Sequence, residues 1–306
     1  MRSTNHWATN LLVLGVAVLI LMNLYTFIVA YPETYAVDPG INMSGGVLAK
    51  DFSAYYVGAW RLWNDPANIY TFSSLSHGEP AVSPQPEAYK YLPSFLLVVS
   101  PLLSLNYQQA LLAFDIFQFA LLPLMAFLLY SLLEKKGFAL TFIVFVIALL
   151  LPYPSPHGGF SLSYYWQWGE GQAKVLETFL LLLSVYFGSR GRPWLSGIAL
   201  AFGFFDPRFG LLAVPLFVMY NWKNLKAALP SLAGTLILSN LVLLYPGTGS
   251  HFMSMVSGSV VSTPLYYYSL IPFLTFVCLT LINLKEMIVT FDYYKVLWRY
   301  TKNWNV

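Results

Sequence analysis

The stretch WLSGIALAFGFFDPRFGLLAVPLFVMY, Trp194 to Tyr220, is apolar from end to end except at Asp206-Pro207-Arg208. A charged pair beside a proline is costly at the centre of a membrane span. The spacing therefore predicts two short helices whose turn lies near one membrane surface, and a chain that belongs in a bilayer. Composition agrees: of 306 residues, 58% are hydrophobic and only 9% charged. Soluble domains carry about 25% charged residues, so the missing polar surface is replaced by surface that faces lipid.

Apolar runs that cross or nearly cross a bilayer lie at 11–30, 107–133, 138–153, 172–188, 194–220, 228–245 and 263–284. The first, after Arg2, has the charge of a signal peptide but the length of a span and no small-residue cleavage site, and it is expected as an uncleaved first span. Segment 92–105, with Pro93 and Pro101, is short and reads as re-entrant or interfacial. Basic residues recur in alternate loops: Lys135 and Lys136, Arg190 and Arg192, Lys223 and Lys226, then Lys285, Lys295, Arg299 and Lys302; loops 154–171 and 246–262 have neither Lys nor Arg. That alternation predicts about eight spans in a single transmembrane domain over 1–306, with both termini cytoplasmic. Residues 31–106 become an external segment. Within it, 51–63 reads as an amphipathic helix whose aromatic face (Phe52, Tyr55, Tyr56, Trp60 and Trp63) suits the headgroup level. The fold class expected is all-α, a polytopic transmembrane helical bundle.

Net charge is +3, too small for a nucleic-acid footprint. One cysteine, Cys278, excludes an internal disulfide and reads as a small core residue. There is no Walker loop, no GxGxxG after a strand, no CxxC pair or HExxH motif, and no solenoid repeat, so zinc, nucleotide and serine-hydrolase chemistry have nothing to stand on. No metal ligand set emerges and no cofactor is certain; a divalent cation stays open. Asn42-Met43-Ser44 is a sequon of a kind that also arises by chance.

Four external groups could carry chemistry. Asp51 shares a helix face with Tyr55 and could accept a proton from an acceptor hydroxyl, or simply start a helix. Lys90, beside Tyr91, could contact a phosphate or snorkel as an interfacial anchor. Gln172 and Lys174 stand at a membrane edge after Trp166, Trp168 and Glu170, with His157 upstream in a glycine-rich loop; ligand contact and an aromatic belt are both consistent with that placement. Asp206 and Arg208 either pair structurally or face a cavity, where Arg would bind phosphate through two parallel hydrogen bonds. His251, in the last external loop, is a weaker candidate.

The order of these motifs has a likeness. Asp51-Phe52-x-x-Tyr55-Tyr56-x-Gly58-Ala59 is followed by Asp65-Pro66-x-x-x-Tyr70. Tyr91-Leu92-Pro93-Ser94-Phe95 and Ser100-Pro101-Leu102 come next, then Gly171-Gln172 before a span, and finally the charged break at 206–208. Over residues 10 to 220 this resembles the GT-C superfamily of membrane glycosyltransferases, most closely its polyprenyl-phosphate-mannose-dependent alpha-1,2-mannosyltransferase branch. The resemblance implies a GT-C-like fold and a sugar, mannose above others, moved from a polyprenyl phosphate to a glycolipid or glycan acceptor outside the cytoplasm. Asp51 would be the general base, with Lys90, Gln172 and Arg208 holding the donor phosphate. Tyr55, Tyr91, His157, Glu170, Asp206 and His251 would be sugar or acceptor contacts. Two departures stand out: the break carries Arg208 where that branch has a proline-adjacent Lys, and about two spans follow residue 220. A catalytically silent GT-C-like subunit is the alternative; a transporter built on the broken helix would need a repeat, which is not seen.

Overall fold

A computed structural model describes residues 50–71, 78, 80, 89–133, 152–154, 160–162, 171–260, 275–283 and 288–289. Its helices are α1 (Lys50–Asn64), α2 (Ser94–Val99), α3 (Tyr107–Leu132), α4 (Lys174–Ser189), α5 (Pro193–Gly203), α6 (Pro207–Asn221), α7 (Leu225–Ser239) and α8 (Thr248–Val260). A two-stranded antiparallel ribbon, β1 (Pro152–Pro154) with β2 (Phe160–Leu162), departs from the all-α expectation. Pro152 and Pro154 have no N–H to donate, and an edge strand tolerates them.

Helix α3 begins where its sequence says it should. The Asn106 side chain accepts from Gln109 N at 3.0 Å, and the Gln109 side chain reaches back to Asn106 N, satisfying two orphan donors reciprocally. Its 26 residues extend about 39 Å at ~1.5 Å each, enough for a ~30 Å hydrocarbon core. Among the described residues it is the one helix long and apolar enough to cross a membrane. Helices α4, α6 and α7 have 16, 15 and 15 residues and each falls short of that thickness. Run 228–245 shortens because α7 stops at Ser239, where the Asn240 side chain turns to donate to Leu236 O and accept from Ser94 N. The run at 11–30 and most of 138–153 and 263–284 lie outside the described residues, as do Lys135, Lys136, Asn42 and the basic residues from Lys285 onward. The stretch 194–220 divides as its charged break requires, α5 ending at Gly203 and α6 starting at Pro207.

The amphipathic helix forms as α1, but its aromatic face meets protein. Phe52, Tyr55, Tyr56 and Ala59 are buried. Phe52 lies 5.1 Å from the Phe114 ring, and Tyr55 sits edge-on to Phe95 at 4.8 Å. An aromatic stripe satisfies headgroups or a core equally well, and here α2 and α3 supply the core. Trp63 alone of that stripe is strongly exposed, its indole N–H donating to Ser100 Oγ. Segment 92–105 folds as α2 followed by a 3₁₀ turn, Ser100–Ser104, too short to cross.

The bundle has two distinct ends. At one, Leu92 N donates to Phe205 O, Ser94 N to Asn240 Oδ1, and Thr248 Oγ1 to Pro66 O. These bonds join the 50–106 segment to the α5–α6 break, the end of α7 and the start of α8. At the other, Arg190 donates to Ser131 Oγ, and Asn221 Nδ2 to Ser196 Oγ. Ser184 and Ser196 each donate to the other's backbone carbonyl across α4 and α5.

Close approach of α5 to α7 depends on Gly197. A Cβ there would lie 2.5 Å from Ala228 O and 2.8 Å from Leu232 N, so the backbones must part. Gly197→Ala is expected to cost about 1–3 kcal/mol, the usual range for overpacking. A denaturant titration of the protein in detergent micelles checks this; an unchanged midpoint would show that the two helices move apart freely.

Candidate functional site

Four charges meet where α4 begins and α5 gives way to α6. Lys174 Nζ lies 3.0 Å from Glu177 Oε2 and 2.7 Å from Asp206 Oδ2. Asp206 also accepts from Arg208 through two parallel bonds, Nε to Oδ1 at 2.8 Å and a terminal nitrogen to Oδ2 at 2.7 Å, and from the Arg208 backbone N–H as the N-cap of α6. Lys174, Glu177 and Asp206 are buried, while Arg208 keeps an exposed edge. The Lys174 ammonium stands over the rings of Phe209 at 4.4 Å and Tyr91 at 5.1 Å, a favourable placement for a desolvated cation. Glu177 Oε1 has no hydrogen-bond partner among the described residues.

Local sequence explains the geometry. Lys174 and Glu177 share a face of α4, three residues apart. The first turn of α4 is fixed by Gln118, buried on α3, whose amide donates to Gln172 O at 2.9 Å and accepts from Leu176 N at 3.4 Å. Pro207 at the first position of α6 suits a helix start and leaves Asp206 free to cap it. Burial by itself would push the Asp206 carboxyl up; Lys174 and then Arg208 outweigh it and hold it at about 2.

Tyr91 connects this cluster to the other candidates. Burial pushes its phenol up to about 12, Lys174 offsets part of the rise, and Asp51 and Asp206 add to it. The ring therefore feels Asp51 as well as the α4–α6 charges. Asp51 is half-buried in the first turn of α1, where a carboxylate also favours the helix dipole. One turn on, the buried Tyr55 ring lies 5.7 Å from that of Tyr91; its hydroxyl lies beside that of Tyr91 but in no well-formed hydrogen bond.

The structure thus brings together Asp206, Arg208 and Tyr91, sets Asp51 and Tyr55 behind Tyr91, and places half-buried Lys90 between buried Tyr89 and Tyr91. Gln172 stands two residues before Lys174, half-buried, with its carbonyl on Gln118. His251 belongs to a different contact: its Nδ1 lies 3.2 Å from Ala67 O on the Pro66–Asn68 turn. His157 and Glu170 lie outside the described residues. Sequence reasoning noted Lys174 only as a membrane-edge residue and passed over Glu177. The signal was there, since two charges one turn apart inside the apolar run 172–188 are rare enough to mark a partnered site.

The cluster can present positive charge to an anion at the exposed edge of Arg208, and Asp51 can act as a base behind Tyr91. No protein-family model matches this chain, and neither does any curated protein or solved structure.

Proposed function

We propose that the protein is a polytopic membrane glycosyltransferase that moves a sugar, mannose first among candidates, from a polyprenyl phosphate to a glycolipid or glycan acceptor on the extracytoplasmic face. One observation carries the reading: Tyr91 stands between the two sets of charges, its ring 5.1 Å from the Lys174 ammonium and 5.7 Å from the ring of Tyr55, one turn on from Asp51. Glycosyl transfer from a lipid phosphate calls for that pairing. Asp51 takes the proton of the acceptor hydroxyl as its oxygen attacks the anomeric carbon. The bond from that carbon to the phosphate oxygen breaks, and the departing phosphate keeps the electron pair. Arg208, with Lys174 behind it, offsets the charge that grows there. Gln172 and Lys90 flank the same end and orient the donor.

In this reading eight spans thread the bilayer, with the end that gathers Asp51, Tyr91 and the α5–α6 break outward and the end with Arg190 and Lys223 in the cytoplasm. Helices α4, α5, α6 and α7, with α5 the shortest at 11 residues, cross by continuing into flanking turns or by local thinning of the bilayer. Purified protein in nanodiscs, supplied with polyprenyl-phosphate mannose and a panel of glycolipid acceptors, is expected to form a mannosylated product visible by mass spectrometry. The absence of product with every acceptor, while the protein stays folded, would favour a second reading.

That second reading is a catalytically silent membrane subunit of the same architecture. It is favoured by the mutual satisfaction of the charges: Asp206 occupies the Arg208 fork, and Lys174 is shared between two carboxylates. A purely structural ion network would look the same.

A further inference from the structure

The end of the bundle opposite the candidate site carries a group of exposed cations. Arg190 and Arg192 lie in the turn between α4 and α5, Lys223 in the turn between α6 and α7 and Lys226 in the first turn of α7, and all four are exposed. The two turns are neighbours, because a Cβ at Gly188 would lie 2.7 Å from Asn221 Nδ2 and Asn221 bonds Ser196. Sequence stretches 178–205 and 209–239, which include both turns, contain no Asp or Glu.

Helix dipoles account for only half of the set. Arg190 follows the C-terminus of α4, where a cation is stabilising, and stacks on Tyr186 at 5.3 Å; Lys223 follows α6 in the same way. Arg192 is the N-cap of α5, and Lys226 sits in the first turn of α7. Both therefore stand at positive helix ends, where a cation is disfavoured. Directly inward of these cations the surface turns apolar: Trp194 is 59% exposed, and Leu195, Ile198 and Leu229 are exposed beside it. A soluble anion would match the cations and leave that apolar flank in water. A lipid matches both.

We propose that this end is a docking surface for anionic phospholipids, with Arg190, Arg192, Lys223 and Lys226 gripping headgroup phosphates and Trp194 lying at the boundary between headgroups and acyl chains. The surface rests on the membrane reading of the chain and is independent of any glycosyl transfer. It creates a preference for phosphatidylglycerol over phosphatidylcholine next to α5.

The test uses the full chain in nanodiscs of phosphatidylcholine with a minority of phosphatidylglycerol, one lipid or the other carrying dibrominated acyl chains that quench tryptophan on contact. The part of the emission lost in Trp194→Phe reports the site. At equal mole fraction, brominated phosphatidylglycerol is expected to quench that part more strongly than brominated phosphatidylcholine. Changing Arg192 or Lys226 singly to Gln should lower the preference up to about fivefold, the effect of one basic residue at an anionic surface. The fourfold Gln variant should abolish it. Raised salt should weaken the preference in the unaltered protein, which keeps the test decisive if the fourfold variant does not fold. Equal quenching by the two lipids in the unaltered protein overturns the proposal, as does a preference that survives the fourfold change. A transferase without this preference, or the preference without transfer, separates this proposal from the functional one.

Discussion

Asp51→Asn is expected to lower glycosyl transfer by about 10²-fold or more, the usual worth of a general base, while binding of the polyprenyl-phosphate donor survives. The substitution keeps size and shape and removes the group that can take a proton. Asp51 lies in the first turn of α1, with Tyr55 on the same face and Tyr91 next to Tyr55. A carboxylate that serves only the α1 dipole contributes about 0.3–1 kcal/mol to stability and nothing to turnover. Rate measured beside thermal stability therefore separates the two roles. Transfer at near-normal rate by Asp51→Asn returns Asp51 to a structural role.

The largest stability effect is expected at Asp206. Removing one partner from a buried ion network leaves the others uncompensated, which costs about 3–5 kcal/mol. In Asp206→Ala, Lys174 keeps Glu177, but Arg208 loses both bonds of its fork and α6 loses its N-cap. Adding Arg208→Met should recover part of the loss, because the two residues act as a unit. The same network predicts an acid limb. The Asp206 carboxyl drops from the ordinary 3.8 to about 2 in the fold, so its stabilisation is fully present above pH 3.8 and lost as pH falls through 2. Unfolding in detergent, followed by circular dichroism against pH, should show that limb in the unaltered protein and lack it in Asp206→Ala. An Asp206→Ala protein as stable as its parent would mean that the cluster is open to water and weakly coupled.

Helix ends and breaks were legible because they are local. The apolar run 107–133 gave the extent of α3, and Asp206-Pro207 separated α5 from α6. The face of α1 was legible as a face but not in what it meets, since Phe52, Tyr55 and Tyr56 pack on lipid headgroups or on Phe95 and Phe114 with the same periodicity. The candidate site was half legible. Asp206 and Arg208 stand out as charges in an apolar run, and Tyr91 stands beside a conspicuous Lys90. Glu177 was lost in the hydrophobicity around it, although its charge lies one turn from Lys174. That Lys174 reaches Asp206, and that Tyr91 lies beneath the Lys174 ammonium, depend on contacts across tens of residues that no spacing rule encodes.

The bonds from Leu92 N to Phe205 O and from Ser94 N to Asn240 Oδ1 set the order in which the molecule can be built. Each joins residues more than a hundred positions apart, and such contacts must wait for closure of the intervening loop. During synthesis the 89–106 segment emerges first and can pack on α1 and α3, but its bonds to the break and to Asn240 wait until α5, the break and α7 have been made. Tyr91, and with it the approach of Asp51 to the buried cations, is therefore completed late. A nascent chain halted before Phe205 carries every aromatic residue of α1 and α2 and still has no assembled site.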